Sequence, residues 1–192
     1  CFTRPTEKQM RHAGVPERFI KDPDFIRSRP LLREPGVFDA PFFDMTAPTA
    51  KSTDPCHRLF MTCAWEAMER VGIVPGPEAG VVGIYGGGGS AQEGYILRNF
   101  GGGAYDLDDP TSWLPVNLGG GLEHFTSRVF AQFNMSGPNV SSSAACATSL
   151  LAIHLAVRDL RHGDCDLALA GGATVTTPHW PGYLQVEGGP VS

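Results

Sequence analysis

An α/β fold is predicted by three features of the chain. Val140 to Ala145 read as a short strand of small residues, and a helical pattern follows at once after Cys146, with Leu150, Ile153, Val157 and Leu160 on one stripe. Cys165 to Ala170 then form an apolar run closed by Gly171 and Gly172, as in a buried strand. Strand, helix and strand in that order make one α/β unit. His162 in the last helical turn and Gly163 after it are the basic residue and the glycine that end a helix.

The elements upstream follow from local signals. Residues 1 to 36 are polar and proline-punctuated, with short helices expected around Thr6 to Ala13 and Pro16 to Lys21. Arg4, Lys8, Arg11, Arg18, Lys21, Arg27, Arg29 and Arg33 make this the most basic part of the chain. It reads as solvated surface, with a docking face for an acidic partner as the alternative. Val37 to Phe43 (VFDAPFF) is an aromatic anchor expected to pack on the core. Asp54-Pro55 has the form of an N-cap followed by proline at the first helical position. Leu59, Phe60, Cys63, Ala64, Ala67, Met68 and Val71 recur at helical spacing until Gly72 and Pro75 stop the helix. Cys63 thereby falls on the apolar stripe and is expected in the core.

Gly80 to Tyr85 reads as a strand and runs into Gly86 to Gly89. The glycine tract lacks the GxxxxGK[ST] of a phosphate loop and the acidic ribose partner of a dinucleotide loop, so close backbone packing beside a site is its expected role. Ser90 to Asn99 is compatible with a helix, and Phe100 to Trp113 with a long loop of the kind that forms lids or substrate walls. Leu122 to Phe133 is amphipathic, with Phe125, Val129 and Phe133 on one stripe; His124 near its start reads as a surface or satisfied histidine.

Composition narrows the class. At 192 residues the chain can bury one sizeable core, and 42% hydrophobic with 18% charged residues is ordinary for a globular protein. The 24 glycines and 16 prolines follow no period and read as tight turns. A net charge of -5 without a dense Lys/Arg cluster argues against nucleic acid or an anionic membrane as partner. No apolar run approaches the roughly 18 residues of a membrane span, and the start lacks a signal-peptide core. Five cysteines, an odd count without CxxC spacing, speak against a disulfide framework or a zinc knuckle and for a reducing, cytoplasmic setting. The missing initiator Met and the Gly/Pro-rich end suggest a piece of something longer.

Chemistry concentrates at Cys146. A thiol on a sharp strand-to-helix turn meets unpaired backbone N–H groups and the positive end of the helix dipole, which favour a thiolate. That is the geometry of an activated nucleophile, against which stands the reading of a small buried hydrophobe. Cys56, in the first turn of another helix, could have its pKa lowered in the same way but reads as structural. A serine hydrolase is poorly supported because no GxSxG occurs.

At the level of whole blocks the chain resembles the β-ketoacyl synthase domain of modular type I polyketide synthases, in the thiolase-like superfamily. VFDAPFF resembles the family's FDAxFFG block, and TDPCHRLFMTCAWEAMERVG its DPQxRLFLExAWEALExAG helix. SGPNVSSSAACATSLLAIHLAVRDLRHGDCDLALAGG is similar to the block that carries the family's nucleophile, and PGYLQVEGGPVS to its GYxxxEGxxxSPDG run. The resemblance implies an α-β-α-β-α layered thiolase-like fold, of which residues 1–192 would be the N-terminal half without the opening strand and without the C-terminal half. It implies decarboxylative Claisen condensation, with Cys146 accepting an acyl group from the phosphopantetheine arm of an acyl carrier protein, no directly bound cofactor or metal, and a homodimer in the intact parent. The family's two catalytic histidines lie in HGTGT-like and NxGH-like motifs, and neither occurs here; His154, His162 and His179 match neither. Ser143, Ala144 and Ala147 stand where Asp or Gln, Thr and Ser are usual, Asp44 replaces a glycine, Ala47 to Ala50 (APTA) replace PREA, and Cys56 replaces glutamine. A ketosynthase-like scaffold that binds carrier protein or a partner subunit is the alternative, and another thiolase-fold enzyme with a cysteine nucleophile a third reading.

Overall fold

The computed structural model describes residues 4–88, 111, 118–176 and 179–189. The expected helix at Ser90 to Asn99 and nearly all of the loop at Phe100 to Trp113 lie outside them. The chain divides into two units, one built from Cys1–Glu34 with Thr176–Ser192, the other from Pro35–Val175.

In the first unit, helix α1 (Glu7–His12) starts at Thr6, whose hydroxyl accepts from the Gln9 N–H while the Gln9 side chain accepts from the Thr6 N–H. Helix α2 (Glu17–Ile20) follows Pro16, and strand β1 (Phe25–Ile26) pairs antiparallel with Tyr183–Leu184. Met10, Val15, Ile20 and Phe25 form its core, flanked by Phe19 and Trp180. Arg11 binds Glu7 and Glu17, Lys21 binds Glu17, and Arg27 binds Glu7, all at the surface. These pairs engage Arg11, Lys21 and Arg27 within the unit.

The second unit begins with helix α3 (Ala47–Ser52), capped by the Thr46 hydroxyl; it covers the APTA string, where no helix was expected. Helix α4 (Pro55–Arg70) starts as the sequence predicts, with the Asp54 carboxylate accepting from the Cys56 N–H at 2.7 Å and Pro55 in the first turn. Strand β2 (Val82–Gly88) then leads, beyond the undescribed stretch, to helix α5 (Phe125–Gln132), strand β3 (Asn139–Ser141), helix α6 (Thr148–His162) and strand β4 (Leu167–Ala173). The three strands are parallel in the order β3-β2-β4, with Tyr85 opposite Val140 and Ala170.

Side chains alternate along β2 and so divide the packing between two faces. Val82 and Ile84 join Phe60, Met61, Ala64 and Met68 of α4 and Phe125 and Val129 of α5 in the main core. Tyr85 points the other way, onto Ala152 and Ala156 of α6. There its hydroxyl donates to Asp159 Oδ2 at 2.8 Å, and Arg158 Nε donates to Asp159 Oδ1 at 2.6 Å. Arg158, then Tyr85, holds the Asp159 carboxyl below the usual carboxylate range, while burial raises the Tyr85 phenol.

Three expectations need correction. Cys63 is exposed, because α4 turns the Phe60, Ala64, Met68 series inward and leaves the Leu59, Cys63, Ala67 series at the margin. The two series lie one residue apart and both are apolar; the bulkier one fills the space above the sheet. The strands are also displaced: β3 ends at Ser141 rather than Ala145, and β4 begins at Leu167 rather than Cys165. Within the anchor at Val37 to Phe43, Phe43 is buried, but Val37 and Phe42 are exposed.

The large stripe on α6 exists but faces away from the sheet. Leu150 is 70% exposed, Ile153 46%, Val157 39% and Leu160 40%, while the small residues Ala152 and Ala156 meet β2. Helix α6 is therefore apolar on two sides. Its C-terminus follows the expected pattern, with Gly163 left-handed at φ 80° after Arg161 and His162.

Candidate active site

Cys146 lies in a single 3-10 turn, Ala145–Ala147, between β3 and α6. The turn is reached through a close backbone approach. The Ser142 N–H donates to Gly86 O at 2.8 Å, and a Cβ on Gly87 would stand 2.0 Å from Ser142 O. This is the close packing expected of the glycine tract, and it requires glycine. Below it, the Thr126 N–H donates to Ser141 Oγ at 3.2 Å and the two hydroxyls lie 2.7 Å apart, tying the first turn of α5 to the end of β3.

Ala145 has φ +48°, a left-handed conformation that an L-residue adopts at a cost. The chain reverses direction there, so that Cys146 is exposed at the mouth of the turn. The Ala147 N–H donates to Ala144 O at 2.9 Å. Among the described residues no hydrogen bond engages the Cys146 N–H. Helix α6 has no side-chain cap from its N-cap residue, Ala147, and with the Thr148 N–H donating back to Ala145 O, the Cys146 N–H is left unengaged beside its thiol.

Cys146 opens onto a cavity of about 600 Å³ at the C-terminal ends of β2 and β4, also lined by Gly87, Gly172, Ser143 and the first turn of α4. Ligands of open parallel sheets sit at this end of the strands. Cys56 and His57 of α4 join the lining, and sequence reasoning had assigned neither to the site. Their position in the first turn after Asp54-Pro55 was visible, but nothing local said that this turn points at Cys146.

The two behave differently from Cys146. Cys56 is buried, its sulfur accepting from the Val175 N–H at 3.0 Å, and burial, then Asp54, pushes its pKa up to about 12. The lowering available at a helix start is thus reversed by desolvation. His57 is 3% exposed and lies edge-on to Phe125 with ring centroids 5.0 Å apart, and among the described residues its Nδ1 has no partner. Burial, with Arg128 and His124 nearby, lowers its pKa to about 4, so it is neutral near pH 7. No group of His, Cys, Asp and Glu suited to a metal occurs among the described residues. His154 and His162 are exposed on α6 and do not line the cavity, and His179 belongs to the other unit.

Comparison with known proteins gives the arrangement a family context. The family model described as "Beta-ketoacyl synthase, N-terminal domain" matches residues 6–191. A phenolphthiocerol/phthiocerol polyketide synthase chain of Mycobacterium tuberculosis is 37% identical over 97% of this chain and 13% of its own length. Pikromycin polyketide synthase component PikAII of Streptomyces venezuelae is 39% identical over 82% of this chain and 4% of its own. Among solved structures, ketosynthase twelve of the bacillaene polyketide synthase from Bacillus amyloliquefaciens superposes with a TM-score of 0.82 at 23% identity, covering 97% of this chain and 32% of that one. The chain thus spans a small part of each relative, and the superposition bears on the fold.

Proposed function

Because the chain belongs to the β-ketoacyl synthase family, matching its N-terminal domain from residue 6 to residue 191, we propose that Cys146 is the acyl-accepting nucleophile of a polyketide ketosynthase. One observation carries the reading. Cys146 is exposed on a left-handed turn, opening onto the cavity at the ends of β2 and β4. In this reading residues 1–192 form part of a ketosynthase domain.

The first step is a transthiolation. Cys146 sulfur attacks the carbonyl of an acyl thioester on the phosphopantetheine arm of an acyl carrier protein. Its Sγ–C bond forms as the bond to the pantetheine sulfur breaks, and the proton lost from Cys146 ends on the released thiol. The transient oxyanion faces the unengaged Cys146 N–H. In the second step a malonyl-type thioester loses carbon dioxide, and the resulting carbanion attacks the acyl carbon and expels Cys146 as thiolate. The histidine motifs that serve this step in the family are absent from the 192 residues, so condensation is the work of the full-length protein. Acyl carrier protein is the partner, the full-length enzyme is a homodimer, and the setting is cytoplasmic. Among the described residues no helix is long and apolar enough to cross a membrane.

The test is mass spectrometry of the full-length protein after incubation with the N-acetylcysteamine thioester of hexanoic acid. The expected result is a hexanoyl adduct on the Cys146 peptide, absent in Cys146→Ala. A folded wild type without adduct overturns the reading and leaves a scaffold that binds carrier protein without acyl transfer. That alternative draws on Ala144, which stands where the family has threonine.

A further inference from the structure

We infer that Thr148 is a positioning residue for acyl transfer, orienting the Cys146 N–H toward the thioester oxyanion; this rests on the acyl-acceptor role of Cys146. Thr148 opens α6 two residues after the nucleophile, and its hydroxyl makes two bonds to the turn. It accepts from the Ala144 N–H at 2.9 Å and donates to Ala145 O at 2.8 Å. One oxygen thus clasps the backbone on both sides of the left-handed residue.

The second bond has a geometric effect on Cys146. Ala145 C=O and Cys146 N–H belong to the same planar peptide unit and point in opposite directions. Two donors of Thr148, its backbone N–H and its hydroxyl, meet at that carbonyl, and the hydroxyl, tied at the same time to the Ala144 N–H, adds to the backbone bond in fixing the direction of the amide proton. Donation to the carbonyl further polarises the amide and strengthens its N–H as a donor. That N–H has no other engagement among the described residues, as an oxyanion donor requires.

The rest of the side chain is held as well. A Cβ on Gly87 would lie 2.5 Å from Thr148 Cγ2, so the methyl occupies the space the glycine leaves open. With one branch packed against the strand, the β-branched side chain keeps a single rotamer and presents its hydroxyl to the turn. Gly87, Thr148 and the Ala144–Ala145 backbone form one assembly, of which Cys146 is the exposed end.

The experiment compares two reactions of Cys146 in the full-length protein carrying Thr148→Val, Thr148→Ala or Thr148→Ser. Acyl transfer from the hexanoyl N-acetylcysteamine thioester passes through an oxyanion. Alkylation by iodoacetamide displaces iodide and does not. Loss of the hydroxyl in Val and Ala should slow acyl transfer at least about tenfold, below the loss of a direct oxyanion donor, with alkylation changed less than about threefold. Ser should restore acyl transfer to near the wild-type rate. Acyl transfer unchanged in Val and Ala, or slowed in proportion to alkylation, overturns the assignment while the acyl-acceptor role stands. A wild type that takes no acyl group overturns both.

Discussion

His57 has a measurable signature at the scale of one residue. Its pKa in the folded protein is about 4, against an ordinary value near 6.5. The unfolded chain therefore binds a proton that the folded protein refuses over the interval between the two. Stability contributed by neutral burial is fully present above about pH 6.5 and is lost progressively as pH falls toward 4. The loss amounts to at most about 3 kcal/mol for a shift of this size. We expect the melting temperature of wild type to fall more steeply over that interval than that of His57→Gln; parallel curves by calorimetry would contradict it. Cys56 teaches a related lesson. Its place at a helix start pointed to a more acidic thiol, but a sulfur 1% exposed beside Asp54 is governed by desolvation.

Among the elements, α4 joins the sheet to the cavity. Its first turn lines the site, and Phe60 packs against Phe125 with ring centroids 4.6 Å apart. A Cβ on Gly86 would come within 2.7 Å of the Phe60 ring, so the helix rides directly on the strand. Phe60→Ala should destabilise the unit by about 3–5 kcal/mol in urea titration, the usual cost of a lost core phenylalanine. The ends of this helix were legible in the sequence, because Asp54, Pro55 and Gly72 act locally on the backbone. Its buried face was not. Leu59, Cys63 and Ala67 have the same period as Phe60, Ala64 and Met68, and only the sheet above decides between them. On α6 the difficulty was that both faces are apolar. The turn at Cys146 was legible as strand-to-helix punctuation, whereas Thr148 and His57 depend on approaches between distant segments that no spacing encodes.

For the whole molecule the outward stripe of α6 governs behaviour in solution. Leu150, Ile153, Val157 and Leu160 form an apolar strip on the helix that carries Cys146 at its N-terminal end. Exposed patches of this kind drive association. The isolated 192-residue chain should elute in size-exclusion chromatography above its monomer mass, and Leu150→Glu with Ile153→Lys should shift it toward monomer without a lower melting temperature. A sharp monomer peak from the unaltered chain would contradict this.

The bond from Tyr85 to Asp159 has a consequence for motion. It fastens the C-terminal half of α6 to the central strand through a fully buried phenol, whereas the end at Cys146 is held by the Thr148 hydroxyl in an exposed turn. Helix α6 should therefore open from one end. In deuterium exchange, amides around residues 156–160 should be among the last to lose protons and those at 145–149 among the first, a gradient in local opening free energy along one helix. Tyr85→Phe should flatten that gradient by accelerating exchange at the anchored end. Cys146 would then sit beside the end of the helix that lacks a buried polar anchor, with the opposite end fixed to the sheet.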